Sequence, residues 1–199
     1  MANTLSPFGF SPNGTLSGST PNFRLSRRYI ASSNATAIFT GDVVMPVTST
    51  ATGYIVQYSA GTVPPAGVFM GCKYLSVSQG RQVWSPYWPG SDANGDVTAY
   101  VIDNPDALFV VQSGTASAVT LANINSNATV NTSTAGTTIN GRSGMALGTI
   151  GTTSTYPFII VDLITTPTGQ NGTDITTAYN WVVVGWNLEI FKAGATSIS

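Results

Sequence analysis

Short runs of β-branched and aromatic residues, each cut off after a few positions by a Gly, Pro or Asn turn, recur along most of this chain. Side chains alternate between two faces along a strand, whereas an amphipathic helix repeats its apolar residues three and four positions apart. The alternation is clearest at 181–191. There Val182, Val184, Trp186, Leu188 and Ile190 fall on one face, and Trp181, Val183, Gly185, Asn187 and Glu189 on the other. Tyr54, Val56 and Tyr58 alternate with Ile55 and Gln57 in the same way. The pattern predicts strands over 36–40, 43–48, 53–58, 68–77, 81–84, 97–102, 108–113, 158–164 and 181–191. Gly41 with Asp42, Gly61, Pro64 to Gly67, Gln79 with Gly80, Asn94 with Gly95 and Asn171 with Gly172 supply the turns between them. Many short strands joined by such turns predict an all-β fold, an antiparallel sandwich or barrel.

Length and charge narrow the function classes. A chain of 199 residues fits a single domain, here with an added arm. Lys, Arg, Asp and Glu make up 8% of it, against roughly 25% in an ordinary soluble domain. Thr, Ser, Asn and Gly fill 84 of the 199 positions, so polarity comes from hydroxyls, amides and bare backbone. A net charge of −1 leaves no electrostatic footprint for a nucleic-acid partner. Residues are 42% hydrophobic, too many for a disordered chain. No apolar run approaches the ~18 residues of a membrane span, and the opening residues lack the basic and apolar regions of a secretory signal. Cys72, the single cysteine, excludes an internal disulfide and a thiolate metal cluster, and reads as a small buried hydrophobe. The absence of histidine removes His-activated nucleophiles and the two-His zinc helix, and no Gly-Lys pair exists for a phosphate loop. No cofactor is expected.

Two segments stand out. In residues 1–28, Pro7, Pro12 and Pro21 oppose helix, yet Leu5, Phe8, Phe10, Leu16 and Phe23 are too apolar for a free tail. The expectation is an extended arm that lies on something, with a single β domain over 29–199. Arg24, Arg27 and Arg28 follow the aromatics closely and would meet an acidic surface, unless they only begin a solvated strand. Residues 114–157 carry one charge, Arg142, and sparse apolar residues such as Val119, Val130, Met145 and Leu147. This stretch is either a long loop or a set of small-residue strands, and loops beyond ~15 residues are uncommon in compact domains.

Three constellations invite chemistry. Asp92, Asn94, Asp96 and Asp103 have the spacing of a calcium loop, but Val97 replaces the required Gly, so capped turns are the better reading. Asp103 and Asp106 flank Pro105 in a strong turn signal; a glycosidase would need two carboxylates facing each other across a sugar. Trp84, Tyr87 and Trp88 form an aromatic cluster that plugs a core or an interface, or, if exposed, stacks on sugars.

The ordered stretches 67–74 (Phe69, Met70, Gly71, Cys72, Lys73, Tyr74), 83–90 (Trp84, Pro86, Tyr87, Trp88, Pro89), 97–112, 141–147, 157–163 and 181–191 together resemble a family of tailed-bacteriophage virion proteins of the capsid decoration, or cement, type. The resemblance spans roughly residues 40–191. It implies a non-enzymatic structural protein, made in the host cytoplasm and located on the capsid surface of the virion. It implies the major capsid protein as partner and a homo-oligomer, a trimer in preference to a dimer. It transfers no active site. On this reading the arm anchors Phe8, Phe10 and Phe23, with Arg24, Arg27 and Arg28, contact the shell, and removing residues 2–28 would leave the β fold intact. The alternative is a receptor- or glycan-binding module of a head or tail fibre, built on Trp84, Tyr87 and Trp88. The scarcity of charge fits a particle component whose faces are covered by neighbours, since like charges repeated about a symmetry axis repel.

Overall fold

The structure is a computed structural model that describes residues 2–18, 23–47, 53–59 and 63–192. The expected Pro21 and Gly61 breaks lie outside the described residues. In chain order the strands are β1 (Ser11–Thr15), β2 (Leu25–Ile30), β3 (Ile38–Phe39), β4 (Val43–Pro46) and β5 (Ile55–Gln57). The long β6 (Gly67–Ser76) follows, then β7 (Arg81–Ser85), β8 (Tyr87–Trp88), β9 (Val97–Ile102) and β10 (Ala107–Gln112). β11 (Asn127–Asn131), β12 (Ala146–Gly151), β13 (Phe158–Leu163) and β14 (Trp181–Trp186) complete the set. The first sheet has the order β1-β10-β14-β13-β11-β12 and the second β2-β9-β6-β4-β5, with β7 on the far half of β6. Both are antiparallel, and they pack as a sandwich, as the alternation predicts. A bridge between Tyr29 and Tyr54 brings the end of the second sheet back to β2, so this sheet curls around its own core.

That curl explains why the strands of the second sheet read as paired apolar residues. Val43, Val68 and Ile102 face the core between the sheets, while their neighbours Val44, Phe69 and Val101 face the core inside the curl. A strand covered on both sides loses its polar alternation. The core between the sheets is built on rings. Phe10 stacks on Phe158 at 4.5 Å, Phe158 stacks on Trp186 at 4.6 Å, and Phe109 meets all three edge-on. Asp42, one residue past the positive-φ Gly41, is buried in the turn between β3 and β4. Its carboxylate accepts from the Phe39 N–H at 2.9 Å and the Gln57 amide at 2.8 Å.

Three expectations change, and one open alternative closes. Residues 2–10 carry no regular structure, but the N-terminal segment does not end as an independent arm: 11–15 pair with β10 and 25–30 with β9. Pro12 is tolerated because β1 is an edge strand. Phe10 is fully buried in this chain's own core, so removing residues 2–28 takes away a core ring and two strands. The 114–157 segment contains the paired small-residue strands β11 and β12, and buries Val119, Met145 and Leu147. The strand predicted over 181–191 stops at Trp186. Asn187 and Leu188 both donate their N–H to the Pro157 carbonyl, and the Asn187 amide caps the carbonyls of Ser154 and Tyr156, which turns the chain.

Candidate functional site

The outer face of the second sheet gathers most of what the chain can offer a partner. Directly opposed residues of antiparallel strands share a face. One such row runs Tyr29, Thr98, Lys73, Trp84 across β2, β9, β6 and β7. The next runs Arg27, Tyr100, Gly71. Trp84 is 62% exposed and Tyr29 49%. Gly71 makes room for the indole: at its φ of 142° a Cβ would fall 2.9 Å from the Trp84 ring, so Trp84 lies over bare backbone beside Tyr100. Arg24, Arg27 and Lys73 have no carboxylate partner among the described residues. Asp96, at the edge of the face, accepts from the Tyr54 hydroxyl at 2.6 Å.

The three arginines gather at the β2 edge of the sheet, Arg27 on this face and Arg28, opposite Ala99, on the other. They line a cavity of about 880 Å³ together with Asp103, Asn104 and Phe191. Arg27 and Arg28 lie in β2, and of the three only Arg28 is committed to a carboxylate among the described residues. Its Nη2 pairs with Asp103 Oδ2 at 2.8 Å, its guanidinium lies 5.4 Å from the Phe191 ring centre, and Asp103 Oδ1 accepts from the Ser26 hydroxyl at 2.7 Å. Behind them sits Glu189, which the alternation placed on the strand face shared with Trp181, Val183, Gly185 and Asn187. It is fully buried, and Oε2 accepts the Phe191 N–H at 2.9 Å. Burial, then the nearby Asp103 charge, push its pKa up to about 7, with Arg28 opposing. Glu189 is sealed off from the cavity. Only the end of the long alternation at 181–191 hinted at it.

The other constellations come apart. Trp88 is fully buried, donates its indole N–H to the Asn34 carbonyl at 3.1 Å and packs edge-on to Tyr74. Tyr87 stacks on Phe39 at 5.4 Å. Trp84 alone faces solvent, so the three rings form no common stacking platform. Pro86 causes the split, because it ends β7 and redirects the chain into the short β3–β8 pair. Phe23 is half-buried against the core between the sheets. Phe8 lies edge-on to Trp181, at 5.1 Å, on a different part of the surface. The calcium-loop residues diverge: Asp92 accepts from Ser76 and Ser78, Asp96 from Tyr54, and Asp103 from Arg28 and Ser26. Asp92 is held below the usual carboxylate range, chiefly by the Ser76 hydroxyl bond. Among the described residues no group of His, Cys, Asp and Glu could hold a metal ion, and no helix is long and apolar enough to cross a membrane. Cys72 is buried, and burial pushes its thiol up to about 12.

Compared with known proteins, the chain matches no family model, no curated sequence and no solved structure.

Proposed function

We propose that this chain is a non-enzymatic structural protein that decorates the outer face of a tailed-phage head and stabilises the shell. The major capsid protein is its partner in this reading, and the outer face of the second sheet is its attachment surface. The observation that carries the proposal is the placement of scarce charge. In a chain with seven basic residues, Arg24, Arg27 and Lys73 lie unpaired on or beside one exposed sheet face, next to Trp84, Tyr29 and Tyr100. Cations steer a complementary acidic surface into register, and aromatic burial then contributes about 25 cal/mol per Å² before association costs are subtracted. Several copies joined to one another would multiply modest contacts. The order of motifs that resembles the cement family supports the same location.

The test is co-sedimentation with phage heads stripped of this protein. An Arg27→Glu, Lys73→Glu double variant is expected to bind at least tenfold more weakly, with an unchanged thermal melt, because both side chains are exposed. Full occupancy of heads by that variant would end the proposal.

A further inference from the structure

We propose a second site, for a carboxylated sugar residue, in the cavity beneath the N-terminal segment. This cavity of about 590 Å³ is bounded by Phe8, Thr137, Asn140, Arg142, Asn171 and Trp181. It shares no lining residue with the basic cavity at the end of the second sheet, and it does not rest on the virion reading.

Three observations define what fits it. The first is charge. Arg142 is the only ionised side chain in the lining, and the only charge between Asp106 and Asp162. Its guanidinium sits 5.6 Å from the Phe8 ring centre and meets no acceptor among the described residues. The aromatic contact holds the group while its forked donors stay unspent, and a planar fork with five N–H groups matches a carboxylate in bidentate fashion. The second is shape. Phe8 and Trp181 meet at 73°, so their rings form an apolar corner. The corner is fixed from behind. Gly172, at φ 88°, packs its bare backbone against the indole where a Cβ would collide. In front, the N-terminal segment is pinned by reciprocal bonds between Thr4 and the Asn171 side chain, and between Gln112 and the backbone of Thr4 and Ser6. The third is neutral polarity. Asn140 Oδ1 accepts the Arg142 N–H, which leaves its amide donors unpaired, and Thr137 Oγ1 accepts the Ile139 N–H while keeping its own proton.

One cation, an aromatic corner and uncharged donors, with no carboxylate in the lining, complement a sugar ring bearing a single acid group. A phosphate calls for more than one cation. An Asp or Glu side chain from another protein would fill only a small part of the volume, whereas pockets of ~300–1,000 Å³ suit whole small molecules.

The probes are digalacturonate and sialyllactose, the two common sources of such an acid, titrated calorimetrically into the full chain beside neutral digalactose and glutarate. Saturable binding of either acidic sugar is expected, weakened at least tenfold by Arg142→Gln and several-fold by Arg142→Lys, with no binding of digalactose. Arg142 is exposed, so both variants should melt as the parent does; should one fail to fold, the other decides. Failure of both acidic sugars, equal binding of digalactose, equal affinity for glutarate, or affinity that survives both substitutions would each overturn the assignment.

Discussion

The outer faces of the two sheets are built on the same backbone plan and carry opposite chemistry. On the first sheet, Leu108, Ile159 and Val161 close over Gly185, where a Cβ would touch all three side chains. Val110 lies opposite Val183 beside them, and charge stands only at the margins: Asp162 opposite Val183 on the other strand, and Arg142 across the cavity that Val110 lines. On the second sheet, Arg27 and Lys73 alternate with Tyr29, Tyr100 and Trp84. The apolar face has no electrostatic reason to avoid a copy of itself. The basic one does, because like charges brought together across a symmetric contact repel. The difference assigns them different neighbours within the proposed function: further copies of this chain against the first sheet, an acidic shell against the second.

That assignment requires Phe10 and Phe23 to belong to the interior and to neither face. The largest expected effect tests this. Phe10→Ala removes the ring stacked on Phe158 and should cost about 3–5 kcal/mol of folding stability. Chemical denaturation checks it. A loss below about 1 kcal/mol would return Phe10 to the role of an external anchor and undo the comparison.

How much of this could be read beforehand depends on what a strand has on each side. β6, β9, β10 and β13 were legible because they are rich in Val, Ile, Phe and Tyr and lie between strong turns. The glycines of those turns, Gly41, Gly80, Gly95 and Gly172, do adopt positive φ. β1 and β2 were hidden by Pro12 and by the run of arginines, since edge strands tolerate residues that central strands exclude. β11 and β12 were ambiguous because Thr, Asn, Gly and Ala report neither period strongly. Of the candidate site, the three arginines were legible as a cluster. Lys73, Tyr29 and Tyr100 were not, because register alone brings them together. The Arg142 pocket was missed too. Its residues come from five separate stretches, and the lone charge of the 114–157 segment was the only available signal.

A middle-sized effect sharpens the contrast between faces. Ile159→Lys places a cation opposite Gly185 at the apolar centre of that face. If copies meet there, an interface charge left unpaired costs about 2–3 kcal/mol, enough to drive the assembly to monomer at micromolar concentration. Sedimentation equilibrium measures it, with the Arg27→Glu, Lys73→Glu variant as the control that should keep its oligomeric state. A lysine variant that sediments like the parent would show that this face is not where copies meet.

The smallest effect concerns what supports the basic face from beneath. Glu189 lies behind Arg28 and Asp103, with Lys192 bound nearby to the Trp186 carbonyl, and its carboxyl is raised by burial to about 7 from an ordinary 4.5. The unfolded chain therefore ionises first. Below pH 4.5 both states are protonated and the favourable contribution is whole. Between 4.5 and about 7 the unfolded state releases its proton while the folded state keeps it, so stability falls as pH rises; above 7 the loss is complete. Relaxation of the protein around the buried carboxyl trims the loss to about 1–2 kcal/mol. Asp42, also raised by burial, slopes in the same direction, so Glu189→Gln should flatten the pH 4.5–7.5 profile only in part. Denaturant midpoints measured across that range provide the check. A parent profile that is flat or rising there, or a glutamine variant with the parent's full slope, would mean that Glu189 is ionised in the fold and that the basic face rests on a buried ion cluster instead of a neutral acid.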